Sequence, residues 1–324
     1  MQPGFQLGEE KRHHQNRQHR ALVADRFDRQ TEQVPGRNSC AGTVAVRVHQ
    51  LRMDHDHAQD RAQVRIAAEF LRRAEADQHR QKGKGGVGKS SLTVLLASYL
   101  HYTLGHDVLV MDCDYPQWSV HAQRERELSV LENSKYYKLM LIRQFKATGR
   151  KLWPIIACTP AEAPERESRF LRDSGYRPAI VLYDLPGTVN TAGVIEIFSA
   201  LDYLFVPMKA DKVVMGSTLS FARTFDLSLV QNQAVHLKDI RLFWIMLDRR
   251  ERTPLYEQYE TLISQLGLSL LQTHIPYRSK FNKELLPDGT GVGRSTLLAP
   301  ERTFAQEAQI EALADEILSI LKIR

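Results

Sequence analysis

Lys84-Gly85-Gly86-Val87-Gly88-Lys89-Ser90-Ser91 is the stretch that decides the fold. A polyphosphate carries several negative charges, so holding it takes backbone N–H groups that converge on its oxygens. Only residues without a Cβ let the backbone come that close, and Gly85, Gly86 and Gly88 provide the approach. With Gly83 counted, residues 83–90 satisfy G-x-x-x-x-G-K-[ST], the phosphate-binding loop pattern. The apolar run at 92–100 reads as the helix that follows, whose first turn offers unpaired N–H groups and the positive end of a dipole. In such a loop Lys89 reaches the β- and γ-phosphates and the Ser90 hydroxyl ligates Mg²⁺, with Val87 and Ser91 completing the cradle. The cofactors implied are ATP and Mg²⁺.

Downstream, residues 107–114 (Asp-Val-Leu-Val-Met-Asp-Cys-Asp) read as a buried strand ending in the carboxylates Asp112 and Asp114. Ligands of parallel sheets bind at the carboxyl ends of the strands, where such groups can act on a phosphate. A second apolar run at 179–187 closes on Asp184, Pro186 and Gly187. Further strands are expected at 203–208, 241–247 and 268–274, with helical patterns at about 216–233, 254–266 and 303–321 between and after them. Strand and helix in alternation predict an α/β fold, a mostly parallel sheet covered by helices on both faces.

Lys84 narrows the reading. K-G-G-x-G-K-[ST] with a lysine at this place resembles the deviant Walker A family of ParA and MinD ATPases. The resemblance implies that Lys84 reaches the nucleotide of the other subunit in an ATP-sandwich homodimer. It further implies a D-x-D motif in which Asp114 positions the attacking water and Asp112 helps hold the Mg²⁺ shell, a Walker B aspartate, Asp184, that holds Mg²⁺ through water, and an adenine contact at Asp248. Lys84, Lys89 and Asp114 are then the catalytic set of a slow ATP hydrolase. The Pro-Gln of ParA-like members follows here as Pro116-Gln117 after one extra residue, Tyr115.

Segments 97–101, 111–117, 184–193, 253–256, 263–270 and 294–298 also resemble the ParA-like TraA proteins of Bacteroides conjugative transposons, over nearly all of the chain from Lys84 onward. This implies partition or conjugative transfer of a mobile element, non-specific DNA binding and a ParB-like or conjugation partner. Basic clusters for DNA are Arg249, Arg250 and Arg252, and Arg278, Lys280 and Lys283. A MinD-like positioning switch acting on a membrane surface or a protein is the second reading. An ATP-binding protein with impaired hydrolysis is the third.

The first 82 residues stand apart from the expected ATPase domain at 83–324. All eleven Tyr and all three Trp lie after residue 82. Residues 74–82 are polar almost throughout and do not read as the buried strand that should launch the loop, and the strand-like run at 43–48 lies far upstream. Three readings stay open: an extension that is poorly ordered or helical over 61–77, with Val64, Ala67, Leu71 and Ala74 on one face; a DNA-binding domain, although no helix-turn-helix spacing is found; and a misassigned reading frame, which is favoured. His55-Asp56-His57 lacks the second ligand pair that a metal site needs.

Composition closes off other classes. No run of eighteen apolar residues exists, which excludes a membrane-spanning helix, and the N-terminus does not read as a signal peptide. Cys40, Cys113 and Cys158 suit a reducing cytoplasm and no disulfide framework. With both Cys113 and Cys158 expected in buried strands, a cluster-bridged iron protein is excluded as well. The last helical pattern has Phe304, Ile310, Leu313, Ile317, Leu318 and Leu321 on one face and Glu307, Glu311, Asp315 and Glu316 on the other, which predicts packing on the sheet rather than on a membrane. The net charge of +6 is too small to argue for DNA by itself.

Overall fold

Alternate residues of the central strands supply two separate cores. Val108, Val110, Ile180, Leu182, Phe205 and Phe243 point to one face of a sheet, and Leu109, Met111, Val181, Tyr183, Leu204, Val206, Leu242 and Trp244 to the other. A strand buried on both faces must be apolar at every position, which is why these segments read as continuous hydrophobic runs. The computed structural model describes residues 44–49, 63–68, 89–186, 191–209, 212–231, 235–247, 254–286 and 293–323.

In chain order the elements are β1 (Val44–His49), β2 (Gln63–Ala68), α1 (Lys89–Ser98), β3 (Val108–Asp112), α2 (Ser119–Asn133), α3 (Lys135–Thr148), β4 (Ile155–Ala157), α4 (Ala163–Ser174), β5 (Ile180–Asp184), α5 (Val194–Ala200), β6 (Tyr203–Met208), α6 (Lys212–Phe225), β7 (Asp239–Leu247), α7 (Pro254–Gln265), β8 (Ser269–Leu270), β9 (Ile275–Pro276), α8 (Arg302–Glu307) and α9 (Ile310–Leu321). The sheet order is β4-β3-β5-β2-β1-β6-β7-β8, with β9 also pairing β7. All described pairings are parallel except those of β1, which runs antiparallel to β2, β5 and β6. This is the expected α/β architecture. Helices α1 and α9 cover one face, and α5, α6 and α7 the other.

Several boundaries differ from expectation. The first 82 residues contribute two strands to the middle of the sheet, and β2 lies parallel to β5 with Ala68 opposite Asp184. The stretch that reads as one face of a helix over 61–77 is therefore a strand at its start. There Gln63-Val-Arg-Ile66 alternates polar and β-branched residues, a period of two that competes with the period of 3.6. Of the run at 268–274 only β8 is strand, and β9 starts just past its end. The final helix is two helices, because Gln309 sits at φ 59° and breaks the ladder between α8 and α9. Its apolar face packs as predicted: Ile310, Leu313, Ala314, Ile317, Leu318 and Leu321 are buried in the core with α1. Cys113 and Cys158 are buried, but each lies one residue past the end of its strand. Among the described residues no helix is long and apolar enough to cross a membrane.

Candidate nucleotide site

Parallel pairing of β3 with β5 sets Asp112 directly beside Asp184 at the carboxyl edge of the sheet. The backbone knits the two strand ends together: the Cys113 N–H donates to the Asp184 carbonyl at 2.7 Å, and the Cys158 N–H to the Asp112 carbonyl at 3.0 Å. Helix α1 starts at Lys89 above this edge, and the Ser90 hydroxyl donates to Asp184 Oδ2 at 2.7 Å. Asp112 and Asp184 are wholly buried, and Asp114 is nearly so. Carboxylates in such positions are costly unless hydrogen-bonded or bound to a cation.

The two acids of the D-x-D segment face different partners. Asp112 Oδ2 accepts the N–H groups of Val120 and His121, 3.0 and 2.9 Å away, in the first turn of α2, and Oδ1 faces the Asp114 N–H at 3.4 Å. Burial pushes the Asp112 carboxyl up to about 6, against the pull of those N–H donors and with a further push from neighbouring Asp114. Asp112 thus fixes the start of α2, whose own cap residue Trp118 has a left-handed backbone, φ 40°, and no capping side chain. Asp114 Oδ2 accepts the Ser119 hydroxyl at 3.2 Å, and its carbonyl accepts the N–H groups of Gln117 and Trp118. Ser119 had no signal in the sequence beyond its place before a polar helix.

Of the residues singled out from sequence, the structure brings Ser90, Asp112, Asp114 and Asp184 together, with Ser91 next to them in the first turn of α1. Lys84, Gly85, Gly86, Val87, Gly88 and Asp248 lie outside the described residues, as do Gly187, Arg249, Arg250, Arg252 and His55-Asp56-His57. Of Lys89 only its place as the first residue of α1 is described. Of the second basic cluster, Lys280 is paired with Glu301 at 3.1 Å and lies over the Phe304 ring, Lys283 is exposed, and Arg278 donates to the Tyr277 carbonyl.

The donor set suits a hard cation. Ser90 and Asp184 offer only oxygen, and a Mg²⁺ ion asks for one or two carboxylates, with phosphates and waters filling the remaining places. Among the described residues there is no group of three or more His, Cys, Asp or Glu able to hold a metal. Beside this edge an apolar cleft is lined by Leu92 of α1, Ile245 and Met246 of β7, Ile275 and Pro276 of β9, and Tyr277 and Phe281.

A parallel sheet flanked on both sides, with a hydroxyl-bearing helix start set against an aspartate at the strand ends, defines a nucleotide-binding α/β domain. The chain belongs to the CobQ/CobB/MinD/ParA nucleotide binding domain family, whose model matches residues 81–287. No match is found among curated proteins. Solved structures similar to it include the MinC:MinD cell division protein complex of Aquifex aeolicus (18% identity, 75% of this chain and 94% of that one, TM-score 0.45). A ParA family ATPase from Chlorobium tepidum TLS (16%, 73% and 94%, TM-score 0.44) and the MinD cell division protein of Aquifex aeolicus (17%, 75% and 95%, TM-score 0.46) are similar as well.

Proposed function

We propose that this chain is a ParA-like ATPase in which ATP closes a homodimer and slow hydrolysis reopens it. The observation that carries the reading is the Ser90 hydroxyl on the Asp184 carboxylate, beside Asp112 and Asp114, at the end of a helix whose preceding sequence is a phosphate loop. Lys89 holds the β- and γ-phosphates, and Ser90 and Asp184 take the cation side of the site. Bound Mg²⁺ neutralises phosphate charge. Asp112 spends both carboxylate oxygens on backbone N–H groups, so its part is to hold α2 and the Asp114 loop in place. Asp114, kept in orientation by Ser119, directs the water at the γ-phosphate. Lys84 reaches across to the nucleotide of the second subunit. The cleft between Leu92, Ile245, Pro276 and Tyr277 accepts the base, and Asp248 contacts the adenine.

The TraA-like segments favour partition or conjugative transfer, with DNA held without sequence preference through Arg249, Arg250, Arg252, Arg278 and Lys283, and a ParB-like or conjugation protein as partner. A membrane target is disfavoured, because the apolar face of α9 is already spent on the core. The test is particle mass by light scattering. Mg²⁺-ATP is expected to give a dimer and ADP a monomer, with Lys84→Ala binding ATP but staying monomeric. DNA retention by the ATP form should fall steeply with salt, the slope following about −0.9 per phosphate neutralised. A monomer at saturating ATP, with DNA retention indifferent to nucleotide, overturns the reading.

A further inference from the structure

Arg294 lies 203 positions downstream of Ser91, yet its guanidinium touches the first turn of α1. Nη1 donates to the Ser91 hydroxyl and to the Phe281 carbonyl, Nε donates to Gln123 Oε1 at 3.1 Å, and Nη2 donates to Glu284 Oε1 at 2.7 Å. Every guanidinium nitrogen has an acceptor, and the side chain is 17% exposed. One arginine thus joins α1, α2 and the 279–284 segment at the end of α1 that carries the phosphate loop.

The backbone that delivers this side chain is fixed on all sides. The Arg294 N–H donates to the Lys283 carbonyl at 2.9 Å. A Cβ on the preceding residue, Gly293, would lie 1.8 Å from the Lys280 carbonyl oxygen, so only glycine fits there. Behind it, Ser98 and Tyr102 donate their hydroxyls to the carbonyls of Ser295 and Thr296, and buried Glu127 accepts the Thr296 N–H, the Thr296 hydroxyl and the Ser295 hydroxyl. Attachment of this strip to α1 is therefore secured without Arg294. What Arg294 adds is a charge. Glu284 is shared with Arg126, 3.0 Å away, so one carboxylate serves two guanidinium groups and the cluster keeps a net positive charge beside the loop's second hydroxyl.

We propose that Arg294 is a nucleotide-positioning residue: it fixes the Ser91 hydroxyl and the first turn of α1, and lends that turn positive charge for the polyphosphate. This rests on the reading of residues 83–91 as the ATP loop. Nucleotide affinity then depends on Arg294, whereas the chemical step, which occurs at the γ-phosphate under Lys89 and Asp114, does not.

The experiment is steady-state hydrolysis of Mg²⁺-ATP by the full chain, with calorimetric ATP binding alongside. Arg294→Gln should raise KM by about tenfold or more and leave kcat within about threefold, the pattern of lost binding rather than lost transition-state contact. Arg294→Lys keeps the charge but not the set of N–H donors that reaches Gln123, Ser91, Phe281 and Glu284 together, and should raise KM by about threefold to tenfold. Thr296→Val removes the hydroxyl that bonds Glu127 and Arg124 in the same strip without touching Ser91, and should leave KM within about twofold of wild type. If Arg294→Gln does not fold, Arg294→Lys alone decides. A wild-type KM in the folded Arg294 variants, or an equal rise in Thr296→Val, overturns the proposal. Failure of the wild-type chain to bind ATP by calorimetry overturns instead the reading of the loop, and this inference with it.

Discussion

The Ser90 hydroxyl sits 2.7 Å from Asp184 Oδ2, joining the start of α1 to the end of β5 across 94 positions of sequence. On the proposed reading, removing either partner strips the same cation site. Ser90→Ala and Asp184→Asn should each lower Mg²⁺-dependent ATP hydrolysis by about a hundredfold or more. The double variant should be little worse than the weaker single one, because residues that act as a unit are not additive. A double-mutant cycle on phosphate-release rates measures this, and independent, multiplying losses would count against a shared site.

Two glycines are fixed by close approach. At Gly193, φ is +87° and a Cβ would stand 2.4 Å from Ala161 backbone atoms, and at Gly293 the nearest atom would be the Lys280 carbonyl oxygen. Gly193→Ala and Gly293→Ala should each cost about 3 kcal/mol or more, since backbone on both sides must move. Gly216, whose Cβ would meet nothing within 4 Å, is the control. Gly216→Ala should be neutral or slightly stabilising in urea denaturation, as expected within a helix.

Glu127 is buried in the strip that carries Arg294, and burial pushes its carboxyl above the usual carboxylate range, against four hydrogen bonds donated by Thr296, Gln123 and Ser295. A raised folded value means that the proton is held more tightly in the native chain than in the unfolded one. The resulting stabilisation is complete below the unfolded value of 4.5 and is lost as pH rises through the folded one. Glu127→Gln has no such proton to lose. The difference in Tm, variant minus wild type, should therefore increase from pH 4.5 to pH 7.5. A difference that shrinks over this range would contradict the assignment.

Leu313 is fully buried on the face of α9 that packs with α1. Leu313→Ala should cost about 2–5 kcal/mol, by lost burial and the cavity left behind. Deleting α9 should unfold the domain rather than release it from anionic vesicles, as cosedimentation and circular dichroism together would report. A folded truncation that loses vesicle binding would favour the membrane reading instead.

What the sequence made legible follows from how each element is buried. Strands β3, β5 and β6 are enclosed on both faces and read as unbroken apolar runs, and the carboxylates that close β3 and β5 stood out against them. Helices α2 and α4 did not stand out. α2 shows little hydrophobic period and is held through polar side chains, Glu127 accepting from Thr296 and Ser295, while α4 is short, mostly charged and tied to β5 by the Tyr183 hydroxyl on Glu167. β1 matches the strand-like run at 43–48, whereas β2 falls inside the stretch that reads as one helical face over 61–77, because its short alternation sits among polar residues. The Arg294–Ser91 contact had no local signal, since only the closed fold brings the two together.

The most direct measurement is phosphate release from ATP by the full chain, with and without Mg²⁺, in the wild type and in Lys89→Ala. The account predicts slow, Mg²⁺-dependent hydrolysis in the wild type that Lys89→Ala abolishes while Tm in the absence of nucleotide is retained. Hydrolysis that survives in Lys89→Ala, or a wild-type chain whose Tm and phosphate release are both indifferent to Mg²⁺-ATP, would contradict it.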